Sequence, residues 1–340
     1  MTEAKARIGI NGFGRIGRLA LRAILSNSYP DLEIVAVNSR TSDPETIRHM
    51  FMYDSTYGVF NKKVSVSEDS LETENSSIAL LAHSAPDLIP WENYGVDIVL
   101  ECSGKFTDRE SAESHISNGA KKVIISAPGK QEDITIVMGV NQSDYNPSAH
   151  HIISNASCTT NCLAPLVKVL NDSFGISEGL MTTIHSYTND QQILDKTHKD
   201  LRRARAAASN IIPTSTGAAK SIGKIIPSLN GKINGMAFRV PTSTVSVIDF
   251  VSTINSKATS EDINNAYQEA SIKSMKGILN ISSEPLVSSD YKQNPYSCII
   301  DGLSTMTLSR NMVKVVGWYD NEWGYALRTV DLARYIHSHK

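Results

Sequence analysis

Arg7-Ile8-Gly9-Ile10-Asn11-Gly12-Phe13-Gly14-Arg15-Ile16-Gly17-Arg18 is the stretch whose reading decides the fold. Arg7 to Ile10 is a short apolar strand, it runs directly into G-x-G-x-x-G, and the helical pattern Leu19 to Leu25 follows at once. In that setting the three glycines have separate duties. Gly12 makes the tight turn, Gly14 lets the backbone approach a pyrophosphate, and Gly17 allows close packing of helix on strand. The helix start, where Arg15 and Ile16 fall, then holds the negative charge. A second strand, Glu33 to Asn38, arrives at the distance a βαβ unit requires. Apolar strands at Val96–Leu100 and Lys122–Ser126, with the helix-like Glu110 to Asn118 between them, extend the pattern. The expectation is an α/β first half, a doubly wound Rossmann dinucleotide-binding domain, with Ser126 counted among its cofactor residues.

Folds of this type usually carry an acidic residue at the end of the second strand, where it accepts the ribose 2′-hydroxyl and selects NAD. This chain has Ser39-Arg40 instead. A small hydroxyl and a guanidinium do not repel a 2′-phosphate and are able to bind one, so the pair points toward NADP or dual use. Asp43 lies close by and offers an alternative contact to the hydroxyl.

The second informative stretch is Ser154-Asn155-Ala156-Ser157-Cys158-Thr159-Thr160-Asn161-Cys162, which sets a thiol among small polar residues just before the apolar-periodic Leu163 to Leu170. This is the pattern of a reactive cysteine at a helix start. Ser157 and Thr159 are short hydroxyl residues suited to capping, and free backbone N–H groups there favour negative charge, so a thiolate is expected at Cys158. Cys162 falls one turn further in and reads as a buried packing residue. Downstream, Val245 to Val251 alternates as a strand, Thr259 to Met275 has helical character with Thr259 or Ser260 as cap, and Ala326 to His337 reads as a closing helix.

Composition narrows the function classes. The chain has 340 residues, with 33 basic against 35 acidic side chains, so the overall balance gives no reason to expect a nucleic-acid or membrane-surface partner. Four scattered cysteines make no disulfide framework, and no C-x-x-C spacing points to zinc; no metal is expected. Met1 leads straight into a charged segment, and no apolar run approaches the ~18 residues of a membrane span. A cytoplasmic, reducing location is the expectation.

Asn11 to Arg18, Ser154 to Pro165, His185 to Asp190, Leu201 to Arg205, Pro213 to Ala219 and Trp318 to Tyr325 together resemble the phosphorylating glyceraldehyde-3-phosphate dehydrogenases, over nearly the whole chain. The resemblance implies a Rossmann domain over 1–157, an α+β catalytic domain with a mixed sheet over 158–323, and a C-terminal helix over 324–340 that returns to the first domain. It implies a homotetramer that oxidises glyceraldehyde 3-phosphate with NAD(P) and inorganic phosphate. By the same resemblance Cys158 is the nucleophile and His185 its base, an imidazolium there lowering the thiol pKa. Ser157, Thr159, Thr188, Arg203, Thr216, Gly217 and Arg239 match positions that hold the two phosphate groups, and Asn321 reaches the nicotinamide amide. Arg239 also follows Met236-Ala237-Phe238 in a strand-like segment, where a charge needs a ligand or an ion pair.

Two departures touch cofactor choice alone. Ser39-Arg40 replaces an aspartate of the NAD-dependent members, and Ser84 falls where many members carry an arginine near the adenine. A reductive, NADP-using role therefore stands beside the glycolytic one. An erythrose-4-phosphate dehydrogenase is the nearest enzyme alternative, and Thr188 with Thr216-Gly217 argues against it. A binding role toward nucleic acid or partner proteins is at most secondary for a chain with balanced charge and this set of residues.

Overall fold

The computed structural model describes residues 5–40 and 43–340, without the side chains of Asn27 and Ser28. The chain divides into two compact units: 1–136, 143–156 and 326–340 form the first, and 137–142 with 157–325 form the second.

The first unit contains β1 (Ala6–Asn11), β2 (Leu32–Asn38), β3 (Tyr53–Asp54), β4 (Gly58–Val59), β5 (Val64–Val66), β6 (Ser70–Thr73), β7 (Ser77–Leu81), β8 (Ile98–Glu101), β9 (Lys122–Ile125), β10 (Ile134–Thr135) and β11 (Ile152–Ser154). Nine of these make one sheet in the order β10-β11-β9-β8-β1-β2-β7-β6-β5, parallel from β10 to β7 and antiparallel over the last two steps. Helices α1 (Arg15–Ala23), α2 (Pro44–Met52) and α3 (Arg109–Ser117) supply connections. Strand order reverses at β1, with β2 and β7 on one side and β8, β9 and β11 on the other, so a crevice opens at the carboxyl ends of β1 and β8. A doubly wound sheet was the expectation, and this is one. The central strands β2, β8 and β9 are largely apolar because both of their faces are covered, and Val35, Trp91, Val99, Val123 and Ile152 share a core beneath α3's Ala112.

The second unit contains α4 (Cys158–Phe174), β12 (Ile176–Ser186), β13 (Ile212–Thr214), α5 (Ala218–Ile225), β14 (Ile233–Val240), β15 (Ser246–Ile254), α6 (Ser260–Ile272), β16 (Leu279–Ser282), β17 (Cys298–Asp301), β18 (Met306–Leu308) and β19 (Met312–Tyr319). The sheet order is β13-β14-β12-β15-β19-β17-β16, with β18 beside β19. The sheet is mixed, since β12 runs parallel to β14 but antiparallel to β15. Alternation of buried and exposed residues along β15 follows from one covered face. Helix α4 lies on that face, and Gly317 of β19 permits its close approach: a Cβ there would meet Leu166 at 3.0 Å, Cys298 Sγ at 3.1 Å and Cys162 Sγ at 3.4 Å. Cys162 is thus a packing residue. Thr259, the expected cap, closes a reciprocal capping box with Asp262. The last helix, α7 (Trp323–Ser338), starts three residues earlier than expected, because Asp320 accepts from the backbone N–H groups of Glu322 and Trp323, both at 3.0 Å.

Candidate active site

Cys158 is the first residue of α4, and Ser157 caps that helix in extended conformation, its Oγ accepting from the Thr160 N–H at 3.0 Å. Thr159 does not share in the capping. Its hydroxyl, one turn position further on, bonds the Tyr319 hydroxyl at 2.9 Å, and Tyr319 also reaches Thr183 at 2.9 Å. The thiol Sγ lies 3.5 Å from His185 Nε2. His185 is buried near the end of β12, edge-on to the Tyr319 ring, with Nδ1 2.7 Å from the Ser186 carbonyl.

Strand register supplies the third member. Parallel pairing sets His185 of β12 beside Arg239 of β14. One guanidinium nitrogen of Arg239 lies 2.6 Å from His185 Nδ1 and donates to the Ser186 carbonyl at 3.0 Å. The Arg239 Nε is buried with no partner among the described residues.

The surroundings work against the expected thiolate and imidazolium. Burial, and then the adjacent Arg239, push the His185 pKa down to about 3. Burial pushes the Cys158 thiol up, against the pull of Arg239 and of the N–H groups at the helix start. Both shifts favour the uncharged forms, because a desolvated pocket disfavours both ions and a fixed cation disfavours a second one on the ring. Nδ1 meets both an acceptor, the Ser186 carbonyl, and a donor, the Arg239 guanidinium; the tautomer that turns an Nε2 lone pair toward Sγ is the one in which Nδ1–H donates to Ser186 O and Arg239 donates to that carbonyl alone. Arg239 makes no ion pair among the described residues: it meets an imidazole and a carbonyl.

Two of the expected phosphate donors, Thr188 and Arg203, meet one carboxylate. Asp190, whose role the sequence did not reveal, accepts from the Thr188 hydroxyl on one oxygen and from Arg203 at 2.6 Å on the other. Arg203 also reaches Thr214 Oγ1 at 3.0 Å and the Ser215 carbonyl at 3.3 Å, which ties it to the loop entering α5. Thr216 and Gly217 form that entry. Thr216 Oγ1 accepts from Ala218 N at 3.2 Å, and Gly217 has open space where a side chain would stand. The nearness of Asp190 to Thr188 in sequence was the available signal.

Asn321 is buried, and its Oδ1 accepts from both Ser186 and Ser246 hydroxyls, at 3.0 and 3.1 Å. Neither serine was foreseen.

In the first unit, Gly12 has φ +98° and sits against the backbone of Cys102 and Ser103, where no side chain fits. Gly17 faces the Gly12 carbonyl equally closely. Gly14 is different: nothing lies within 4 Å of where its Cβ would be, and α1 starts there without a side-chain cap. That open, uncapped helix start fits a pyrophosphate. The Arg15 side chain is turned away to pair with Asp54 and lie over Tyr57, so only its backbone faces the turn's anion cradle. Ile16 is half-buried beside it. Ser39 N donates to Leu81 O at 2.9 Å, Arg40 is exposed, and Asp43 is committed to capping α2 through Thr46 N at 2.9 Å. Ser126 bonds the Glu101 carbonyl through both N (3.0 Å) and Oγ (2.9 Å). Among the described residues no cluster of metal-ligating side chains occurs.

Comparison with known proteins adds an independent line. Residues 6–109 match the model of the glyceraldehyde 3-phosphate dehydrogenase NAD binding domain, and residues 157–321 match that of the glyceraldehyde 3-phosphate dehydrogenase C-terminal domain. The chain is 58% identical over 332 residues to glyceraldehyde-3-phosphate dehydrogenase of Geobacillus stearothermophilus, covering 98% of each chain. It is similar to both numbered forms from Bacillus subtilis (strain 168): 56% over 330 residues for form 1 (97% of this chain, 98% of the relative) and 51% over 332 for form 2 (98% and 97%).

Proposed function

The chain belongs to the glyceraldehyde-3-phosphate dehydrogenase family, and from that premise we propose how its residues act. It is an NAD-dependent oxidoreductase that converts glyceraldehyde 3-phosphate and inorganic phosphate to 1,3-bisphosphoglycerate, a step of glycolysis. The erythrose 4-phosphate alternative is not favoured: the relatives quoted above all carry the glyceraldehyde-3-phosphate name. The observation that carries the catalytic assignment is the 3.5 Å approach of Cys158 Sγ to His185 Nε2.

His185 takes the thiol proton on Nε2, and the thiolate adds to the aldehyde carbon. The resulting oxyanion takes the proton from Nε2 and becomes the thiohemiacetal hydroxyl, beside the Cys158 backbone N–H. His185 then removes that hydroxyl proton as a hydride leaves the carbon, and a thioester remains on Sγ. The Gly12–Gly17 turn and Asn321 would hold NAD, which would supply the acceptor for that hydride. Phosphate attacks the thioester carbonyl and Cys158 departs as thiolate, regaining its proton from His185.

Arg239 makes this sequence depend on substrate. In the free protein its charge opposes protonation of His185. A substrate phosphate held by Thr188 and Arg239 compensates that charge and lets the ring accept a proton. The second anion belongs with Arg203, Thr216 and Gly217, with Ser157 and Thr159 flanking the nucleophile.

The first unit carries the cofactor and the second the chemistry in this reading. Ser39-Arg40 favours acceptance of a 2′-phosphate, hence NADP or dual use, in support of which Arg40 is exposed and Asp43 is engaged elsewhere. A homotetramer is supported by the exposed Ile193, Leu194 and Leu201, apolar side chains 76 to 88% accessible that an isolated subunit leaves in water. A cytoplasmic location accords with the finding that, among the described residues, no helix is long and apolar enough to cross a membrane. Initial rates with glyceraldehyde 3-phosphate and phosphate, run with NAD and NADP at matched concentrations, test the cofactor reading. A rate with NADP comparable to or above that with NAD supports it; a strong NAD preference removes the Arg40 assignment.

A further inference from the structure

Resting on the assignment of Thr188 and Arg203 to phosphate, we propose that the Asp190 carboxylate is a resident anion that occupies these donors in the free protein and must be displaced before a phosphate binds. The geometry is that of a filled anion site. One carboxylate oxygen takes the Thr188 hydroxyl, the other takes the Arg203 guanidinium at 2.6 Å, and Arg203 is simultaneously anchored to Thr214 and Ser215. Asp190 thus spans the two donor groups, one on the His185 side and one on the side of the α5 entry. The buried, unpartnered Nε of Arg239 adds a donor that the carboxylate does not reach.

A phosphate brings a larger charge and more acceptor oxygens than a carboxylate, so it outcompetes Asp190 for the guanidinium groups. The two do not share the donors comfortably, because a carboxylate left beside a dianion is a like-charge contact in a partly desolvated place. Asp190 is 41% exposed at its side chain, so a way out into water is open to it. The carboxylate keeps Arg203 and Thr188 ordered while no ligand is present, at the expense of affinity for the ligand.

The sign of one effect separates this from a purely structural role. If Asp190 serves only to orient Arg203, its loss weakens anion binding; if it competes, its loss strengthens it. Inorganic phosphate is titrated by calorimetry into the full-length wild type, Asp190→Asn, Asp190→Ala and Arg203→Ala, and KM for glyceraldehyde 3-phosphate is measured alongside. The expected result is about 3- to 30-fold tighter phosphate binding in both Asp190 variants, the size of one screened charge contact, with the kinetic change carried by KM. Unchanged or weaker binding in folded Asp190 variants, while Arg203→Ala loses binding, overturns the proposal and leaves the phosphate assignment standing. Unchanged binding in Arg203→Ala overturns the phosphate assignment, and the proposal with it.

Discussion

His115 and His185 are both buried, one in each unit, and their partners give them different work. His115 of α3 accepts the Trp91 indole N–H at Nδ1 (2.9 Å) and therefore donates from Nε2 to the buried Glu101 carboxylate (3.0 Å). Glu101 is further held by Asn11 Nδ2 at 2.5 Å and by Ser103 N at 2.8 Å, and Asn11 in turn bonds Asn38. Every position on that ring is taken, and the network ties β8 to the strand ends that shape the glycine turn. His185 faces a cation on one side and a thiol on the other, and burial together with that cation disfavours its protonation. Burial alone does not distinguish a structural histidine from a catalytic one. The charge and donor capacity of the neighbours does.

The comparison is tested most severely at the thiol. Cys158→Ser should lower turnover by about 10⁴-fold or more, since an alcohol beside a neutral imidazole is a far weaker nucleophile; steady-state rates with purified enzyme decide it, and near-normal turnover would remove the reason for His185's special place. Next, His185→Asn should slow the oxidation about 10²–10⁴-fold, as loss of a general base does, with pre-steady-state hydride transfer as the readout.

His115→Ala should behave in the opposite way, costing about 1–3 kcal/mol of stability in denaturant unfolding because the buried Glu101 carboxylate and Trp91 indole each lose a hydrogen-bond partner. A catalytic loss without destabilisation in this variant would erase the contrast between the two rings. The remaining effect is in the pH dependence of stability. The His185 pKa is depressed in the folded chain, so the unfolded state takes up a proton that the folded state refuses; stability is retained above the ordinary histidine value near 6.5 and lost as pH falls toward about 3. Thermal unfolding over that window should show a shallower decline for His185→Asn than for wild type, and equal slopes would place the ring outside the influence of Arg239.

Much of the fold was legible because it is written in local patterns. The glycine spacing between an apolar strand and a helix announced the first sheet, and Ser157 before Cys158 announced the start of α4. The candidate site was legible in its residue types and much less in its electrostatics. Thr159 reads as a cap as readily as Ser157 does, until Tyr319 of a strand far along the chain takes its hydroxyl. Asp190 reads as a loop residue until the chain brings Arg203, thirteen positions away, onto its carboxylate. Ser186 and Ser246 are ordinary strand residues until both donate to Asn321.

The sequence by itself determined the strand–turn–helix of the dinucleotide site, the thiol at a capped helix start and the kinds of donor available for phosphate, because each depends on neighbours within a few residues. Only the tertiary structure decided the electrostatic surroundings of Cys158 and His185 and the partners of Thr188 and Arg203. Those depend on desolvation and on the charge that strand register places beside each group: Arg239 reaches His185 across fifty-four positions only because β14 pairs with β12 in one register. A shift of one residue there would turn the guanidinium to the other face and leave the imidazole free to protonate.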